Sequence, residues 1–134
     1  MSQENVEVVR SICAAWEVGD FSSVDWAHPA IEFEFADGPT PGTYTGRAAM
    51  AKVWGEAMSA FKDLHVAPEE YRRLDDERVL VLMHNTGRGK GSGLDVGLVQ
   101  NKGANLFTVR DGKVTRLVLY WNRATALEAV GLSE

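Results

Sequence analysis

Asp111-Gly112-Lys113-Val114-Thr115-Arg116-Leu117-Val118-Leu119-Tyr120-Trp121-Asn122 is the stretch on which the reading of the fold turns. The Asp-Gly pair stands between two alternating runs, a strong signal for a two-residue hairpin. Beyond it, strand parity sends Leu117, Leu119 and Trp121 to one face and Val118 and Tyr120 to the other. The same period of two extends back to about residue 64. Before about residue 62 the apolar residues recur every three to four positions instead. The period changes once and does not change back. Helices come first and a meandering antiparallel sheet follows, so the class is α+β rather than alternating βαβ.

Working outward, Val6, Val9, Ile12, Cys13 and Trp16 form the stripe of a first helix from Gln3 to Val18, stopped by Gly19. A short second helix is expected over Phe21 to Trp26, ended by His28-Pro29. Ile31 to Phe35 reads as a short strand, and Asp37 to Gly42 as a loop by composition. A third helix is expected from Thr45 to Phe61, with Met50, Trp54, Met58 and Phe61 as its core stripe. Four strands follow: Leu64 to Leu74, Arg78 to Lys90, Leu94 to Val109 with a break near Asn101-Lys102-Gly103, and Val114 to Trp121. Pro68 cannot donate to a ladder and marks an edge or a bulge. Asn122 caps a last helix, Arg123 to Val130, with Gly131 after it. The expected architecture is a bent antiparallel sheet, cone-shaped, wrapped by three helices of the N-terminal half, with a short C-terminal helix. Residues 1–134 form one domain.

The chain has 14 Lys and Arg against 19 Asp and Glu, a net charge of −5, which disfavours nucleic acid or an anionic membrane as partner. A single cysteine, Cys13, allows neither a disulfide framework nor a zinc cluster. Met1-Ser2-Gln3-Glu4 has no basic or apolar leader character, and no stretch approaches the length of a membrane span, so a cytoplasmic location is expected.

Several motifs together resemble one family: Ser2-Gln3-Glu4-Asn5-Val6-Glu7, Gly19-Asp20, Thr43-Tyr44-Thr45-Gly46-Arg47, the glycine-rich Gly87 to Gly93, Arg110-Asp111-Gly112-Lys113-Val114, and Ala126 to Leu132. The chain is similar to the SnoaL-like proteins of the nuclear transport factor 2-like superfamily, which includes the ketosteroid isomerases. The resemblance implies the cone fold and a pocket for an apolar small molecule. It does not by itself imply an activity, since this fold hosts enzymes, binding modules and dimerisation domains.

Carried over residue by residue, the isomerase base falls on Asp37 when counted back from Gly46-Arg47, and nearer Phe33 or Glu34 when counted forward from His28-Pro29. The tyrosine position falls on Ile12, which cannot donate. The acid position falls on Ala104 or Asn105, of which Asn105 can donate through its amide. The cyclases place an acid near the end of the last strand, where this chain has Asn122, an amide that accepts no proton at neutral pH. The catalytic candidates are therefore Asp37 and, in reserve, Glu34.

The three histidines are scattered without metal-ligand spacing, and no metal or cofactor is expected. His84, alternating with Leu82 and Thr86, is expected on the helix-free face of the sheet. The glycines from Gly87 to Gly97 precede a strand rather than a helix and suit a sheet corner better than a phosphate loop. Ligand-binding candidates are Trp16, Trp54, Met58, Met83, Asn85, Asn105, Phe107, Leu119 and Trp121, with Asn85, Asn105 and Asp37 as polar points. Two classes stay open: a cofactor-free isomerase or cyclase acting on an apolar polyketide- or terpenoid-like compound, and a non-catalytic binding or dimerisation module. Because Leu80, Leu82, Val118 and Tyr120 make the sheet apolar on its second face, a homodimer through that face is expected.

Overall fold

A computed structural model of the chain describes residues 2–20, 23–37, 41–59, 61–89 and 98–132. The elements are α1 (Ser2–Glu17), β1 (Ala27–Phe35), β2 (Gly42–Thr45), α2 (Arg47–Met58), β3 (Phe61–Arg73), β4 (Arg78–Gly89), β5 (Leu98–Arg110), β6 (Lys113–Tyr120) and α3 (Arg123–Ala129). The six strands form one sheet in the order β2-β1-β6-β5-β4-β3.

The expected α+β class stands, with local corrections. The sheet is mixed: β1 pairs parallel with β6, through Phe33↔Leu117 and Phe35↔Leu119, while every other pairing is antiparallel. Alternation is the same in both pairings, so sequence period cannot tell them apart. Asp25 and Trp26 form a turn and β1 begins at Ala27, where a short helix was expected. The two long helices of the N-terminal half are thus α1 and α2 among the described residues. Gly42–Thr45, read as loop and helix start, is a strand too short to show a period. The helix expected to reach Phe61 stops at Met58. The Ser59 amide bonds Gly55 O at 2.9 Å and its hydroxyl donates to Glu56 O at 2.7 Å, so the Met58–Phe61 spacing only mimics a helical repeat. β5 runs through residues 101–103 without a break in its register on β4. The glycine-rich residues 90–97 and Phe21 lie outside the described residues.

Other expectations hold. Pro68 sits on the edge strand β3, beside a register shift between Pro68 and Glu70. Asp111 and Gly112 have φ of 51° and 76°, the positive values a two-residue turn of this hand requires. The Asn122 side chain accepts the Ala124 amide at 2.9 Å and caps α3.

Packing fills both faces of the sheet. On the inner face, α1 and α2 bury Val9, Ile12, Cys13, Trp16 and Met50 against Ile31, Phe33, Val79, Val81, Phe107 and Leu117. The outer face carries α3, whose Ala126 and Leu127 are buried with Leu80, Leu82 and Ala104. That face is not free of helix, contrary to the expectation made for His84. Much of the apolar surface that motivated a dimer is therefore covered within the chain: Leu80, Leu82 and Val118 are all 5% exposed or less.

Arg123 holds α3 in place. Its side chain is 17% exposed, and its guanidinium donates to Met83 O at 2.9 Å and ion-pairs with the Glu69 carboxylate on β3. The Arg123 hydrogen bond holds the Glu69 carboxyl below its ordinary value of 4.5. A lowered carboxylate pKa contributes stability above the unfolded-state value and loses it as pH falls through the folded-state value. Glu69→Gln is therefore expected to be less stable than wild type at neutral pH, with the gap closing below about pH 4.5. Urea midpoints measured across that range check this; a gap independent of pH would contradict it.

Candidate functional site

The inner face changes character along its strands. One rank across the sheet consists of Tyr44, Phe33, Leu117, Phe107 and Val79, register partners in succession. Phe33, Leu117, Phe107 and Val79 in that rank are fully buried. The next rank is Gly42, Phe35, Leu119, Asn105 and Val81. Here Phe35, Leu119 and Asn105 are only half-buried. Beyond it, just past the ends of β1 and β6, lie Asp37 and Trp121, the latter 43% exposed. The inner face thus opens towards the ends of β1 and β6, where half-buried rings and amides replace the closed core.

Seven aromatic rings run in contact beneath this opening. Trp16 touches Trp26, Trp54 and Phe107 at centroid distances of 5.9, 4.7 and 5.9 Å. Trp54 stacks on Phe33 at 5.4 Å, Phe33 meets Phe35 edge-on at 5.0 Å, and Phe35 meets Tyr44 at 6.5 Å. The path leads from α1 through α2 to the half-buried Tyr44 on β2. Such edge and offset contacts suit the ring quadrupoles and make a rigid apolar lining. Local geometry keeps α2 in register with β1: the Gly46 amide bonds Ile31 O at 2.8 Å, and Arg47 Nε bonds Ala27 O at 2.7 Å.

Among the expected site residues, Trp16, Trp54, Phe107, Met83 and Leu119 come together on the inner face. Asn85 and Asn105 lie on the same face by register and are half-buried. Met58 closes α2, but its side chain lies outside the described residues. Trp121 stands at the exposed rim rather than inside the cone. β6 ends one residue earlier, at Tyr120, so strand parity no longer fixes the direction of this side chain. Asp37 lies beside it. Both Asp37 oxygens accept backbone N–H groups, from Trp121 at 2.5 Å and from Asn122 at 3.2 Å. This carboxylate ties the end of β1 to the turn between β6 and α3. Glu34 is not brought to these residues. It lies between the inward Phe33 and Phe35, on the other face, and pairs with Arg116 at 3.0 Å.

Phe33, Phe35 and Tyr44 were missed as site residues. Phe33 and Phe35 alternate in the sequence and were legible as one strand face, whereas Tyr44 lies in a strand of four residues.

Two further groups limit the chemistry. Burial pushes the Cys13 thiol up to about 12, so it stays protonated and is no nucleophile at neutral pH. Its hydrogen-bond partner Tyr71 is raised to about 12, chiefly by burial, with Arg10 4.4 Å above its ring. Among the described residues no three His, Cys, Asp or Glu side chains are grouped to hold a metal ion. No described helix is long and apolar enough to cross a membrane. An open polar groove of about 370 Å³, lined by Asn5, Asp76, Glu77, Val109, Arg110 and Asp111, lies at the hairpin end and contains none of the site residues.

A family model for the SnoaL-like domain matches residues 9–117. No curated protein sequence matches the chain. Among solved structures, TerC co-crystallized with polyporic acid is 20% identical, with 96% of this chain and 98% of TerC covered and a TM-score of 0.73. A protein from Jannaschia sp. CCS1 described as a SnoaL-like polyketide cyclase is 19% identical, with 98% and 94% covered and a TM-score of 0.74. A nuclear transport factor 2-like protein from Burkholderia xenovorans LB400 is 29% identical, with 96% of each chain covered and a TM-score of 0.68.

The double tie at Asp37 predicts a stability effect. Asp37→Ala removes both bonds of a half-buried carboxylate and is expected to cost about 1.5–3 kcal/mol. Asp37→Asn keeps one accepting oxygen and is expected to cost less. Denaturant midpoints at neutral pH check the order, which would fail if Asn were the more damaging substitution.

Proposed function

The chain belongs to the SnoaL-like domain family, and from that premise we propose that it takes an apolar polyketide- or terpenoid-like small molecule at the open end of its inner sheet face. The observation that carries this reading is the change of rank. Closed aliphatic and aromatic packing gives way, over one register step, to half-buried Phe35, Leu119 and Asn105, with Asn85 on the neighbouring strand. An apolar lining with a few convergent polar groups is the usual form of a small-molecule site. The Asn85 and Asn105 amides give the ligand orientation, and Trp54 and Leu119 give it surface. TerC, a protein of the same fold, was co-crystallized with polyporic acid, which is in keeping with a small-molecule site in this fold.

If the site is catalytic, the chemistry is cofactor-free isomerisation or cyclisation, with Asp37 as base and an asparagine amide holding the developing oxyanion. One observation favours the second reading, a non-catalytic binding module: both Asp37 oxygens already accept backbone N–H groups. A partner copy belongs to the same proposal. It would cover Leu106 and Tyr120, which stay half-buried on the outer face beside α3.

Binding of the apolar probe para-phenylphenol is expected to quench the fluorescence of Trp16 and Trp54 saturably, and Leu119→Asp is expected to weaken it at least tenfold. Absence of saturable quenching counts against the site. Once a turned-over substrate is found, Asp37→Asn separates the two readings. A base predicts a loss of about 10²–10⁴-fold in kcat with folding retained. A binding module shows no turnover to lose.

A further inference from the structure

We propose that the Tyr44 hydroxyl is a second ligand-binding donor, working with Asn105 across the opening, so that the site selects a flat apolar ring system with oxygens at two opposite ends. The inference rests on the pocket reading above and adds to it a specificity residue and a ligand geometry.

Tyr44 joins the inner-face core, with its ring edge-on to Phe35 at 6.5 Å. Its side chain leans back along β2 on the inner face. It lies back against Gly42, where an added Cβ would stand 3.0 Å from the hydroxyl oxygen and 3.3 Å from the ring carbon bearing it. Glycine at this position makes room for the phenol. Gly42 is the register partner of Phe35, so the hydroxyl stands at the end of the rank Gly42, Phe35, Leu119, Asn105. That rank reads polar, apolar, apolar, polar. The hydroxyl makes no hydrogen bond to any other group among the described residues. A phenol at a half-buried apolar rim keeps its donor available to a molecule bound there.

Register also fixes the scale. Gly42 and Asn105 are three strand steps apart, about 14 Å across the sheet. The tyrosine hydroxyl and the asparagine amide each take up a hydrogen bond of about 2.9 Å within that span. The remaining gap suits two or three rings in line with an oxygen at each end. The floor between the polar ends is Phe35 and Leu119, which offer surface but no hydrogen bond.

Three probes of one shape test this: biphenyl, para-phenylphenol with one hydroxyl, and para,para′-biphenol with one at each end. Dissociation constants are read by tryptophan quenching of the full chain. Wild type is expected to bind para,para′-biphenol about three- to tenfold more tightly than para-phenylphenol, the gain of one added neutral hydrogen bond. Tyr44→Phe is expected to bring that ratio to about one, and Asn105→Leu to do the same from the other end. Gly42→Ala, which crowds the hydroxyl but keeps the tyrosine, is expected to lower the ratio without touching the fold by circular dichroism. A wild-type ratio of one, or a ratio that survives Tyr44→Phe, overturns the two-ended site and leaves the pocket standing. Failure of all three probes to quench overturns the pocket and this inference together.

Discussion

Strands β4, β5 and β6 are apolar on both faces, and a strand of that kind must be covered on both. Val79, Val81 and Met83 face one way, and Leu80 and Leu82 face the other, with every one of them 5% exposed or less. The remaining architecture answers this demand. α1 and α2 cover one face, and α3 covers the middle of the other. A short helix of seven residues sits on the second face, where among the described sheet residues Leu80, Leu82 and Ala104 are buried with it. The flanks of that face are polar: Glu34 pairs with Arg116 on one side and Glu70 with Arg72 on the other.

The two layers are not independent. Arg123 starts α3 and reaches across β4 to Glu69 on β3, while Asp37 at the end of β1 takes the amides just ahead of the same helix. The outer cover and the rim of the inner face are therefore fixed by adjacent residues, Trp121 to Arg123. A side chain expected to carry chemistry also holds the backbone that shapes the opening. Single substitutions at Asp37 consequently need both a stability and an activity measurement before a role is assigned.

Much of this was legible in the sequence because period, turn chemistry and caps agree. Asp111-Gly112 announces its hairpin, Pro68 its edge and bulge, and Asn122 its cap. The inner-face set, Trp16, Trp54, Met83, Phe107 and Leu119, follows from parity and helical spacing. What was not legible depends on contacts distant in sequence. Nothing in Ile31–Phe35 says that its neighbour will be β6, or that the pairing will be parallel. Asp37 reads as the start of a turn, and only the folded chain shows that the turn it holds lies more than eighty residues away. Parity was extended to Trp121, which stands one residue past the strand end, where parity no longer applies. The outer role of α3 escaped because a pattern of seven residues does not reveal which sheet face it will cover.

The parallel seam between β1 and β6 has a kinetic consequence. Among themselves, strands β3 to β6 pair in sequence order, so these ladders close short loops. The seam joins Phe35 to Leu119 and closes most of the chain at once. Loop-closure entropy rises with separation, and non-local pairings are the slow ones to form. The meander can therefore assemble as a local unit before β1 and β2 dock on its far edge. Because Phe35 and Leu119 lie on opposite sides of that seam, the half-buried end of the inner face is completed only when this long-range pairing forms.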